Sequence, residues 1–355
     1  MRSTRWHAAI LALAVIAGVL TMAGDQRFPG PTPLPGPPRD SPSVVVALGD
    51  STISGEGAGD YDKGTDGENG DWCHRSSNAS VHRLGITGVD GTINLACSGA
   101  PAGQVGLGKV TQYTEPSQAQ RLAKIAAENR VVAVVVAAGA NDDPGFAHVL
   151  DQCVQAWFTR NQPGCGATVG AEWPRRVDAM VPKLVRALAD VRSALKTAGY
   201  RTGDYQLIVQ SYAAPVGPDV AAGLQDLSGC PFRSEDLRWV RDTAVPTLTA
   251  GLRQAAGTAG ARFLDLSRAG VGREACSAGN DINREWFRRL AVQWSDLHSD
   301  ERATHALQES FHPNANGYAQ FGRCLGEFIN TVDRAAACLA GGDGNLHAAT
   351  TVGPD

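Results

Sequence analysis

The chain has 355 residues, 43% of them hydrophobic, enough for one large domain or two small ones. Formal net charge is only −4 and no basic tract stands out, which argues against a nucleic-acid groove. Acids and bases are mixed along the chain except from residue 56 to 71, where six carboxylates face Lys63 alone and the composition reads as a solvated loop.

In chain order, residues 1–23 carry Arg2 and Arg5, then the apolar run Ala8–Leu20, with Thr21 and Ala23 as small residues near a cut. This is the pattern of an export signal. The run is long for a signal and short for a membrane span, so a cleaved signal peptide and an uncleaved signal anchor both stand, the second giving a membrane tether through residues 6–23. Residues 24–42 hold seven prolines between Pro29 and Pro42 and read as an extended linker. The expected location is secreted or extracytoplasmic.

The apolar run Val44–Leu48 then ends in Gly49-Asp50-Ser51-Thr52. A strand buried in a parallel sheet delivers its last residues to the carboxyl edge, where a crevice presents them to a ligand, so Ser51 is placed as a nucleophile. Further apolar runs at 92–96, 131–138, 205–210 and 262–266 complete five expected strands. Helical patterns cover 116–129, 175–198, 234–256 and 316–337. The alternation implies an α/β fold, a parallel sheet with helices on both faces. Two irregular insertions, 52–91 and 143–174, follow strand ends and are expected to wall a cleft, while 339–355 reads as a flexible tail.

Eight cysteines in an exported chain are most simply four disulfides, although 105 connectivities are open. Metal readings fall short. His298, His305 and His312 are spaced by seven, but Pro313 interrupts a helix that would align them, and the acidic stretch around Asp60, Asp62 and Asp66 lacks the closing glutamate of a calcium loop.

Three strand-end blocks carry Ser51, Gly99 in Cys97-Ser98-Gly99-Ala100, and Asn141 in Gly139-Ala140-Asn141-Asp142; a fourth, Glu309-Ser310-Phe311-His312-Pro313-Asn314, lies far downstream. In this order they resemble the SGNH or GDSL hydrolase family, of the exported bacterial, disulfide-containing type. The resemblance covers roughly residues 44–325 and implies a hydrolase domain over 43–338 with a flavodoxin-like, three-layer α/β/α fold on a five-stranded parallel sheet. It also implies the neighbour pairings Cys73–Cys97, Cys153–Cys165 and Cys230–Cys276; the same scheme would leave Cys324 with Cys338.

The activity implied is hydrolysis of carboxylic esters through an acyl-Ser51 intermediate, with His312 as base and then acid and no cofactor. Ser51 N–H, Gly99 N–H and the Asn141 amide would form the oxyanion hole. Two departures stand out. Thr52 replaces the name-giving leucine, and Glu309 stands where the family has an aspartate, so either the Glu309 carboxylate or a main-chain oxygen would orient His312. The substrate is left open among lipid, acylated-saccharide and small-molecule esters, with Trp72, Trp157, Phe158 and Trp173 as expected cleft-lining aromatics on a monomer. The rival reading is a catalytically idle carbohydrate- or envelope-binding module on the same fold. The G-x-S-x-G elbow of the α/β-hydrolases is absent.

Overall fold

The computed structural model describes residues 35–350 apart from 222, 294, 295, 297–301, 303 and 304. The signal, residues 24–34 of the linker, and His298 lie outside the described residues. Strand β1 (Ser43–Gly49) runs into the short helix α1 (Ser51–Ser54), followed by β2 (Gly91–Asn94), α2 (Ala102–Val105), α3 (Gln118–Glu128) and β3 (Arg130–Ala137). Next come α4 (Phe146–Phe158), α5 (Cys165–Val169), α6 (Trp173–Thr197), β4 (Gln206–Gln210), α7 (Ser234–Trp239), a π turn at Val240–Ala244, α8 (Val245–Thr258) and β5 (Arg262–Asp265). The chain closes with α9 (Ala315–Ile329), β6 (Ala335–Ala340) and β7 (Leu346–Thr350).

The strand order is β2-β1-β3-β4-β5-β6-β7, with every pairing parallel except β6 with β7. The first five strands take the expected flavodoxin-like order, but the sheet has seven strands rather than five. Part of the extra pair comes from the stretch expected to be a tail, and Ala335–Ala337, read as the end of the last helix, is strand. Alanine favours helix, yet pairing with β5 on one side and β7 on the other wins here.

β1 and β3 are the centre of the core. Val44–Leu48 of β1 are buried on both faces of the sheet, as a valine-rich run requires, and in β3 Val131 and Ala133 to Ala137 are fully buried too. Because chain order reverses at β1, a crevice opens outside the carboxyl ends of β1 and β3, and Ser51 and Asn141 leave the sheet on its two sides. Gly49 makes the exit feasible. Its φ is +141° and a Cβ there would collide with the Ala137 carbonyl, which instead accepts from Asp50 N–H at 3.0 Å.

The disulfides are Cys73–Cys97, Cys153–Cys165, Cys230–Cys276 and Cys324–Cys338. The last ties α9 to β6 across 14 residues. Replacing both of its cysteines by serine is expected to cost about 3 kcal/mol in denaturant unfolding, the loop-closure value for a ring of this size.

Candidate active site

Asp50 caps α1. Its Oδ1 accepts from Thr52 N–H at 3.1 Å and from the Thr52 hydroxyl at 3.0 Å, which fixes the turn presenting Ser51. Its Oδ2 accepts from the Tyr212 hydroxyl at 2.6 Å, and that hydroxyl accepts in turn from Ala140 N–H at 3.3 Å. Tyr212 therefore joins the nucleophile turn to the loop bearing Asn141. Burial pushes the Asp50 carboxyl up to about 6, with those hydrogen bonds opposing the rise. From below, the buried Tyr318 hydroxyl lies 3.1 Å from the Ser51 carbonyl and 3.0 Å from that of Glu56.

His312 Nε2 lies 2.8 Å from Ser51 Oγ. The imidazole is held by its backbone: His312 C=O accepts from Arg288 N–H at 2.9 Å, and Arg288 C=O from Phe311 N–H at 3.2 Å. Phe311 has a left-handed φ of +61°, a local cost borne immediately before the base. The Ser310 hydroxyl adds a brace, bonding both the N–H and the carbonyl of Ala291 at 3.0 Å.

The Glu309 carboxylate points away from the imidazole. Oε1 accepts from the Tyr61 hydroxyl at 2.6 Å, Oε2 accepts from Gln293 Nε2 at 2.6 Å, and Arg288 Nη1 is 3.2 Å from Oε2. With its oxygens committed there, the side-chain option for orienting His312 is not the one the geometry takes. Nδ1 is buried beside the main-chain carbonyls of Gln308 and Ser310, though neither completes a hydrogen bond of good geometry with it. Burial holds the imidazole below its usual value, while the anionic Glu56 and these two carbonyls oppose that shift.

Gly99 has φ +76°, and a Cβ there would come within 2.7 Å of the Gln112 amide. Asn141 does not cap α4, whose N-cap is Gly145. Ser51, Gly99, Asn141 and His312 border one cavity of about 570 Å³. Its remaining walls are mainly apolar, with Phe146, Leu150 and Val154 from α4 facing Pro215, Leu266, Phe287, Leu290 and Phe311.

The expected aromatic lining is corrected. Trp173 is fully buried with its indole N–H on the Ala244 carbonyl, Trp72 stacks on His305 at 4.1 Å, and neither these two nor Trp157 and Phe158 border the cavity. The insertion 143–174 does supply a wall, through α4, whereas 52–91 supplies little beyond Thr52. The acidic stretch from residue 56 is not simply a solvated loop, since Glu56 is fully buried and Asp71 nearly so. Sequence reasoning also passed over Tyr212 and Tyr318. The one available signal for Glu56 was its place in Gly55-Glu56-Gly57, flanked by residues that permit close backbone approach.

The model of the GDSL-like lipase/acylhydrolase family matches residues 47–320, and the chain belongs to that family. A lipase from Streptomyces rimosus is 26% identical over 287 residues, covering 80% of this chain and 85% of that protein. The crystal structure of the extracellular lipase of Streptomyces rimosus superposes with a TM-score of 0.51 at 24% identity, covering 78% of this chain and 94% of the other. That of phospholipase A1 from Streptomyces albidoflavus NA297 gives 0.53 at 22%, covering 79% and 95%; these structural likenesses show the shared fold. The protein is accordingly an ester-cleaving hydrolase.

Gly57 packs closely against the loop that carries His312. Its φ is +84°, and a Cβ would sit 2.9 Å from the Pro313 carbonyl and 3.0 Å from His312 Cβ. Gly57→Ala is expected to displace the His312 loop and lower the melting temperature; an unchanged melting curve would show that the loop yields without cost.

Proposed function

We propose that the chain is an exported serine esterase of the lipase type, taking esters with an apolar acyl chain. The observation that carries this reading is the 2.8 Å Ser51–His312 contact at the rim of a mainly apolar cavity. His312 takes the Ser51 proton on Nε2 as Oγ bonds to the ester carbonyl carbon. The resulting oxyanion accepts from Ser51 N–H, Gly99 N–H and the Asn141 side-chain amide, and collapses to the acyl-enzyme as the imidazolium returns its proton to the departing alcohol. Water, deprotonated by the same imidazole, then releases the acid and restores Ser51.

In this scheme the carbonyls of Gln308 and Ser310 hold the Nδ1 proton inward, and the modest geometry in the free protein tightens as the imidazolium forms. Glu309 acts on the loop, not on the imidazole. Four disulfides and the amino-terminal signal pattern support export. The acyl chain lies along α4 and the Leu290–Phe311 wall, where each methylene removed from water contributes about 0.8 kcal/mol.

Two measurements check this reading. Ser51→Ala should abolish turnover of p-nitrophenyl esters and labelling by a fluorophosphonate, and the intact protein should show kcat/KM rising with acyl length, roughly fourfold per methylene while the chain still fits. Labelling and turnover absent from the intact protein would favour an idle binding module. Because a neutral imidazole is required and burial lowers its pKa, the acid limb of kcat/KM should fall below pH 6.5, where an exposed histidine titrates. Glu309→Gln should leave kcat within about tenfold, against the roughly 10⁴-fold loss seen when a true triad carboxylate is replaced by its amide.

A further inference from the structure

Glu56 is fully buried five residues beyond the nucleophile, and one of its contacts reaches the loop of the base. Its Oε2 accepts from the Ser98 hydroxyl at 2.6 Å and from Gln308 Nε2 at 2.7 Å; its Oε1 lies 2.7 Å from His74 Nδ1. Gln308 supplies one of the two main-chain carbonyls beside His312 Nδ1, Ser310 supplying the other. The Gln308 amide nitrogen also donates to the Trp72 carbonyl at 3.2 Å, and its oxygen lies 2.5 Å from His305 Nδ1, so the side chain is held at both atoms of its amide. The next residue, Gly57, brings this backbone against the Cβ of His312.

We propose that Glu56 is the positioning carboxylate of this active site: through Gln308 it sets one of the two carbonyls that face His312, and its buried negative charge balances the imidazolium formed during acyl transfer. It would then supply, from beneath the loop and without touching the imidazole, what a triad aspartate supplies by direct contact. The inference rests on the Ser51–His312 reading given above.

The charges around the base favour this assignment. Glu309, on the base's own loop, is paired with Arg288 at 3.2 Å and hydrogen-bonded by Tyr61, so its charge is answered locally. Asp50 and Tyr318 lie on the nucleophile side, where Asp50 is bonded to Tyr212. Glu56 faces His74, which in turn lies 3.1 Å from Asp66 Oδ1. Burial pulls the His74 imidazole down, but Asp66 and Glu56 outweigh it and raise it to about 10, so His74 is a cation at neutral pH. Burial likewise pushes the Glu56 carboxyl up, and the hydrogen bond and charge of His74, joined by the His312 charge and the Ser98 hydroxyl, more than reverse this and keep Glu56 ionised. Glu56, His74 and Asp66 together carry one net negative charge, with the anion Glu56 bonded to the base's loop.

Glu56 raises the His312 imidazole and its own charge depends on His74, and this gives the test. Ester hydrolysis is followed from acid to alkaline pH for the intact protein and for Ser51→Ala, Glu56→Gln and His74→Gln. Glu56→Gln keeps the shape and removes the anion; kcat is expected to fall roughly tenfold or more with KM nearly unchanged, and the acid limb of kcat/KM to move to lower pH by about half a unit or more. His74→Gln removes the cation that does most to keep Glu56 ionised, so it should move the limb to lower pH as well. A Glu56→Gln protein with the original kcat and limb, or two variants whose limbs move in opposite directions, would overturn the proposal. Should Glu56→Gln not fold, an unmoved limb in His74→Gln overturns it equally. Full activity in Ser51→Ala would instead bring down the underlying reading, so the two failures are distinct.

Discussion

The hydrogen bond between Ser51 and His312 joins residues 261 apart in the chain, and most of the structure around it serves to make that contact. Neither side chain is held by its own neighbours alone. The serine sits on a four-residue helix capped by Asp50, which is too short to be stable unaided, and the histidine sits on an irregular loop after a strained Phe311. Rigidity comes from elsewhere. Tyr212 ties the turn to the β3 exit, Tyr318 reaches its carbonyls from α9, and Arg288 and Glu309 clamp the far loop.

This division of labour explains why buried polar groups crowd one end of an otherwise apolar core. Unpaired, such groups would cost more than they contribute, but here nearly every one has partners drawn from a different segment. Glu56 meets Ser98, His74 and Gln308; Glu309 meets Tyr61, Gln293 and Arg288. Two carboxylates thus serve one loop from two sides. Ser51 borders the mainly apolar cavity, and Ser98 and Gln308 of the polar network line it too, so polar and apolar walls meet at the nucleophile.

Much of the scaffold was legible in the sequence because it follows from local pattern. Valine-rich runs marked β1 and β3, and turn-forming blocks at their ends marked Ser51 and Asn141, which the folded chain brings to one crevice with Gly99 and His312. Where reading failed, a distant partner had overridden a local signal. Ala335–Ala337 looked helical, but β5 and β7 take it as strand. Glu309 has the spacing of a triad acid, yet Tyr61, Gln293 and Arg288 claim its oxygens. Glu56 was counted with exposed acids because composition cannot register that His74 and Gln308 would meet it in the interior. The large aromatics, assigned to the cleft by type, went elsewhere, Trp173 into the core between Phe146 and Trp239.

The central claim is spatial: one hydroxyl, one imidazole and three donors converge on a single ester carbonyl group, the hydroxyl oxygen at its carbon and the donors at its oxygen. The structure of the protein inactivated by an alkyl fluorophosphonate tests it most directly. The account predicts phosphorus bonded to Ser51 Oγ, a phosphoryl oxygen within about 3.1 Å of Ser51 N, Gly99 N and Asn141 Nδ2, and the alkyl chain in the cavity beside α4. An adduct on another residue, or an oxygen turned away from those donors, would contradict it.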